Sequence, residues 1–164
     1  MKPPRPTRRP LPRAAVRSVA VLVSRYHEEI TACLADGAER VLKKAGVSRI
    51  DKFQVPGAYE LPQAAQAAVA NGGYDAVVAL GCIVRGETPH FEYIAQAVAN
   101  GLDEVGRRSG TAVAFGVLTV DRIEQAFERA GGRAGNKGEE AASAALELAG
   151  LLRRMRNGKP PKSA

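Results

Sequence analysis

The chain has 164 residues, 45% hydrophobic and 25% charged, with a formal net charge of +7, which suits one soluble globular domain with a single core. No run of 18 apolar residues exists to cross a bilayer, and the basic opening MKPPRPTRRP lacks the apolar stretch of a secretory signal. Two cysteines, Cys33 and Cys82, are too few for a disulfide framework and match no zinc spacing, so they read as reduced, buried thiols of a cytoplasmic protein.

Taken in chain order, residues 1–17 carry six basic residues and no acid, and residues 151–164 carry five and no acid. The stretch between them holds 13 basic against 17 acidic residues, so the positive excess belongs to the ends. Seven of the ten prolines also lie there. Residues 1–15 therefore read as a disordered, basic, proline-rich extension and 157–164 as a disordered tail around a domain over 16–156. A basic extension could bind a polyanion, but no aromatic residues interleave with its arginines, and a solvated extension is the favoured reading.

Ser18–Ser24 (SVAVLVS) is short, apolar and β-branched and predicts a buried strand. A helix over 28–45 follows, closed by Gly46. A strand over 50–55 stops at Pro56-Gly57, and an alanine-rich helix over 59–70 ends at Asn71-Gly72-Gly73. A strand over 76–82 (AVVALGC) precedes a helix over 88–105, with Thr88 as N-cap and Pro89 in its first turn. A strand over 112–118 and helices over 121–130 and 136–155 complete the domain. Apolar strands alternating with helices predict a three-layer α/β/α sandwich around a four-stranded parallel sheet.

Ligands of open parallel sheets sit beyond the carboxyl ends of the strands. The junctions there read Arg25-Tyr26-His27, Pro56-Gly57-Ala58-Tyr59-Glu60, 81–90 (GCIVRGETPH) and Thr119-Val120-Asp121. In the third, Gly86 permits a tight backbone before a helix start, whose free N–H groups attract an anion. His90 lies close to anything held there and suits proton transfer near neutral pH, or is a plain helix-surface histidine. The glycine-rich 131–138 (GGRAGNKG) lacks the phosphate-loop spacing and a preceding strand, and no Gly-x-Ser-x-Gly elbow occurs.

The segments VSRYHEEIT (23–31), VPGAYELP (55–62), GCIVRGETPHFEYIA (81–95) and FGVLTVDRIEQAFERAGGRAGNKGEEAASAALEL (115–148) resemble the 6,7-dimethyl-8-ribityllumazine synthase family, in the right order and over about residues 17–155. The resemblance implies a flavodoxin-like fold and a transferase of riboflavin biosynthesis. That family joins 5-amino-6-(D-ribitylamino)uracil to 3,4-dihydroxy-2-butanone 4-phosphate, releasing phosphate and water, without a metal or redox cofactor. It implies sites between neighbouring subunits of a pentamer, twelve pentamers in a shell for some members, and riboflavin synthase as a possible partner. The short 131–138 link resembles shell-forming members.

The resemblance also implies roles. Tyr26 stacks on the pyrimidine ring; Ala58, Tyr59 and Glu60 hold the ribityl chain; Cys82, Ile83 and Val84 read the uracil edge with their backbone. Phe115 comes from the neighbouring subunit, although on residues alone it also fits a strand core. Glu87, Thr88 and Arg129 bind the butanone phosphate, and His90 donates and accepts protons. Glu128 and Lys137 are polar residues of that interface. His27 stands where the family has asparagine, and Glu87 places a carboxylate beside the phosphate, so its side chain is expected to point away. Two other classes fit the same residues: a flavin- or lumazine-binding paralogue, and a shell protein with anionic cargo.

Overall fold

Along β1 (Ser18–Ser24) successive side chains enter two different cores. Val19, Val21 and Val23 pack with Ile30, Leu34, Ala38 and Leu42 of α1 (Glu28–Lys44). Ala20 and Leu22 pack with Leu61 and Ala65 of α2 (Leu61–Asn71). β3 (Ala76–Val84) divides likewise: Ala76, Val78, Leu80 and Cys82 face the first core, Val77, Ala79 and Ile83 the second. A strand buried on both faces needs no polar alternation, which is why these segments read as unbroken apolar runs.

The computed structural model describes residues 16–158. Its main sheet has the order β2-β1-β3-β4, all parallel, with β2 at Arg49–Val55 and β4 at Ala112–Val120. α1 and α5 (Lys137–Arg156) cover one face; α2 and α3 (His90–Ser109) cover the other. The expected three-layer, flavodoxin-like sandwich is the fold observed. The segments 1–15 and 159–164, expected to be disordered, lie outside the described residues; Asn157 and Gly158 form a turn after α5.

Several boundaries differ from expectation for local reasons. The expected helix over 59–70 opens as a 3₁₀ turn, Ala58–Glu60, before α2 begins. α3 starts at His90, not at residue 88: Pro89 is its N-cap and no side chain caps it, so Thr88 lies outside the helix. At its other end α3 runs on to Ser109, because Gly110 closes it at φ 68° and Arg156 Nη2 donates to the Gly110 carbonyl at 2.9 Å.

The 131–138 segment is a structural lock. α4 (Ile123–Arg129) leads into a small antiparallel hairpin, β5 (Ala130–Gly132) and β6 (Gly135–Asn136), which the sequence did not announce. Asn136 then caps α5: its Oδ1 accepts from Gly138 N–H at 2.8 Å and Glu139 N–H at 3.2 Å. Its Nδ2 donates to the Cys33 carbonyl on α1 at 2.8 Å. One buried amide thus caps one helix and ties it to another. Gly37 and Gly138 let the two helices meet. A Cβ on Gly37 would lie 2.5 Å from the Asn136 side chain, and one on Gly138 only 1.9 Å from the Leu34 carbonyl oxygen.

Candidate active site at the carboxyl end of the sheet

The strand order reverses direction between β1 and β3, which is the place where such sheets open a crevice. The pairing itself shows the opening. β1–β3 pairing ends at Val23 with Leu80, whereas β3–β4 pairing continues to Val84 with Val120. The β1-facing main chain of Cys82, Ile83 and Val84 therefore has no strand beside it among the described residues. Cys82 and Ile83 bury their side chains in opposite cores, so what they offer a ligand is backbone. That matches the flat donor–acceptor edge of a planar heterocycle.

Three groups surround this opening. Beyond β1, Arg25 N–H still donates to the Val55 carbonyl at 2.9 Å, and the chain then turns through Tyr26, which is 70% exposed. His27 turns it in the left-handed region (φ 57°) and its carbonyl receives the N–H groups of Ile30 and Thr31. Histidine is among the residues that adopt that conformation acceptably, and here it does so without a side-chain capping hydrogen bond. Beyond β2, Gly57 is buried. A Cβ there would fall 2.9 Å from Glu60 Oε2 and 3.6 Å from the Tyr26 ring, so this glycine lets the carboxylate and the ring draw together. Sequence reading singled out Tyr26 and Glu60 but not the glycine between them. Ala58 is buried and Tyr59 exposed on the same turn.

The third group is the loop from Gly86 to Pro89. Gly86, Glu87, Thr88 and His90 are all exposed, and His90 is the first residue of α3. The unpaired N–H groups of a helix start, with its dipole, face an anion favourably even though the start falls two residues later than expected. Glu87 is exposed to solvent.

Arg129 and Phe115 stand apart from this group. Phe115 pairs with Ala79 in the middle of β4, where its ring is 46% exposed on the edge strand rather than in a core. Arg129 closes α4, donates from Nη1 to the Gln125 carbonyl at 2.9 Å, and lines an open depression of about 690 Å³. Its neighbours there include Arg85, Phe91, Glu92, Asp121 and Gln125, but among the described residues neither Tyr26, Glu60 nor His90. Glu128 and Lys137 hold local ion pairs, the former with Arg133 and the latter with Glu140 at 2.5 Å. No group of three or more His, Cys, Asp or Glu side chains that could hold a metal occurs among the described residues.

Cys33, expected to be buried, is exposed on α1, whereas Cys82 is buried; burial pushes the Cys82 thiol up to about 11, so little thiolate forms there at pH 8. Iodoacetamide at pH 8 is expected to leave Cys82 unlabelled in the native protein and to label it after unfolding, read by peptide mass spectrometry. The unfolded chain releases this proton first, so the thiol's contribution to stability falls as pH climbs from about 9 towards 11.

No helix among the described residues is long and apolar enough to cross a membrane. The family model described as 6,7-dimethyl-8-ribityllumazine synthase matches residues 17–153, which span every strand and all but the end of the last helix. With that match over most of its length, the chain belongs to the 6,7-dimethyl-8-ribityllumazine synthase family.

Proposed function

We propose that this protein condenses 5-amino-6-(D-ribitylamino)uracil with 3,4-dihydroxy-2-butanone 4-phosphate, forming 6,7-dimethyl-8-ribityllumazine and releasing phosphate and water. The observation that carries the reading is the convergence at the β1/β3 opening of a stacking ring, an unpaired strand edge and an anion-attracting helix start, in a member of this family.

The roles follow from chemistry. Tyr26 offers a flat face for the pyrimidine, and the backbone of Cys82, Ile83 and Val84 reads its edge. Ala58, Tyr59 and the Glu60 carboxylate receive the ribityl hydroxyls. The N–H groups around Glu87 and Thr88 hold the phosphate of the second substrate, and Arg129 adds a fork of donors. The depression carrying Arg129 holds none of the uracil groups, which supports the reading in which Arg129 and Phe115 reach the site of a neighbouring copy. A cyclic oligomer, a pentamer in this reading, repeats that contact around its ring. Assembly of pentamers into a shell and association with riboflavin synthase extend the same reading, in a cytoplasmic setting.

The amine of the uracil attacks the ketone, and water leaves as the imine forms. Phosphate is then eliminated, and the ribitylamino nitrogen attacks the remaining carbonyl and closes the ring with loss of a second water. Each step moves a proton, and His90 at the start of α3 stands where it can take and return one. Because both substrates are reactive, holding them together supplies much of the acceleration. His90→Ala is therefore expected to lower turnover by about a hundredfold or less, the low end for a positioned proton-transfer group, without abolishing it. Complete loss in a correctly assembled variant would contradict this division of labour.

The test is turnover. The purified protein is mixed with both substrates, and lumazine absorbance and phosphate release are followed against the spontaneous reaction. Acceleration with phosphate released in step with lumazine supports the synthase. A folded oligomer that binds the uracil yet leaves the rate unchanged would identify a binding paralogue instead.

A further inference from the structure

Arg85 follows β3 and precedes the Gly86–Pro89 loop, and its side chain reaches the β4–α4 junction and the first turn of α3. Four contacts radiate from it. Its N–H donates to the Val120 carbonyl at 2.9 Å, extending the β3–β4 ladder by one residue. Its Nε donates to Asp121 Oδ1 at 2.7 Å and its Nη1 to Glu92 Oε1 at 3.1 Å. Its guanidinium lies over the Phe91 ring at 4.6 Å. One planar cation thus grips the β4–α4 junction with one nitrogen and the first turn of α3 with another.

The chain of contacts continues past Asp121. Gln125 Oε1 accepts the N–H of Asp121 at 2.9 Å and that of Arg122 at 3.3 Å, and the Gln125 carbonyl accepts from Arg129. A continuous path therefore runs from the first turn of α3, where His90 and Glu92 sit, through Arg85, Asp121 and Gln125 to Arg129. All but His90 line the same depression.

We propose that Arg85 is a positioning residue: it locks the Gly86–His90 loop and the first turn of α3 to the β4–α4 junction through Asp121 and Glu92, and so fixes the phosphate loop of the chain's own site against the element that carries Arg129 to the site of the neighbouring copy. Single exposed ion pairs contribute little to stability. A planar group held from two sides and stacked on a third instead restricts geometry, and geometry is what a bimolecular condensation needs. The two carboxylates also draw on the guanidinium's charge, so it is engaged rather than presented to the ligand. This role rests on the synthase reading above, but the lock itself does not.

The experiment compares Arg85→Ala, Asp121→Asn and the double variant with the wild type, all as assembled oligomers. The expected result is a fall of about tenfold in kcat/KM for the butanone phosphate in Arg85→Ala, with KM for the uracil unchanged. Asp121→Asn should reproduce most of that loss, and the double variant should be no worse than Arg85→Ala, as coupled residues require. Amide hydrogen exchange should quicken over 86–92 and not across the sheet. Wild-type kinetics in Asp121→Asn beside a defective Arg85→Ala would make Arg85 a direct phosphate ligand and overturn the proposal. So would unchanged exchange over 86–92. If the wild type shows no turnover, the synthase reading fails, and the exchange measurement alone decides whether Arg85 locks the loop.

Discussion

Gly138→Ala is expected to cost more than about 4 kcal/mol, a large share of the stability of an ordinary domain. The added Cβ would sit 1.9 Å from the Leu34 carbonyl oxygen, and the obstacle is helix backbone, which cannot rotate aside. Moving α1 away would also break the Asn136–Cys33 hydrogen bond and strip the buried amide that caps α5. Gly106→Ala is the comparison. That glycine lies inside α3 with its nearest Cβ neighbour at 3.5 Å, an ordinary contact, so alanine there should stabilise by about 0.5–1 kcal/mol through helix propensity. Urea unfolding of both variants separates the two cases. A Gly138→Ala protein as stable as the wild type would mean that the α1–α5 crossing is looser than the geometry shows.

Arg129→Ala is expected to raise KM for the butanone phosphate by about ten- to hundredfold, the loss that follows removal of charge-assisted hydrogen bonds of about 1.5–3 kcal/mol. KM for the uracil should hold, because Tyr26, Gly57 and Glu60 lie together at a different part of the sheet end. Arg129→Lys should recover only part of the loss, since it restores the charge but not the fork of donors. The kinetics are read by varying each substrate with the other saturating. An unchanged KM for the phosphate substrate would remove Arg129 from the site.

The sheet and its layers were legible because burial on both faces leaves an apolar signature that no solvent-facing element imitates. SVAVLVS could hardly be anything but a central strand. The ends of α2 and α3 were less so. Pro89 permits either a cap or a first helical residue, and only the fold decides that Thr88 stays outside. The β5–β6 hairpin escaped notice because it is held by tertiary contacts: Asn136 bonds a carbonyl on α1 that is remote in the chain. The same contact explains why a glycine-rich stretch with the look of a phosphate loop is instead a helix crossing. At the site, Tyr26 and Glu60 both lie beside Gly57, and the 82–84 backbone lies beyond the end of the β1–β3 pairing. Gly57 and Arg85 were invisible as site residues because their parts depend on neighbours from other strands. The separation of Arg129 and Phe115 from the rest is likewise a matter of three-dimensional placement, and it is what motivates the proposal of a site shared with a second copy.

The claim at the centre of this account is that condensation occurs at a site shared by two copies of the chain. It is tested most directly by mixing. His90→Ala and Arg129→Ala proteins are unfolded, combined, reassembled and assayed at low butanone phosphate, beside each variant reassembled alone. If one site takes His90 from one copy and Arg129 from the next, about a quarter of the sites in a random mixture regain both residues, and a low-KM, fast component appears. If the hybrid shows only the average of its two parents, both residues serve the same chain's site, and the shared-site account is wrong.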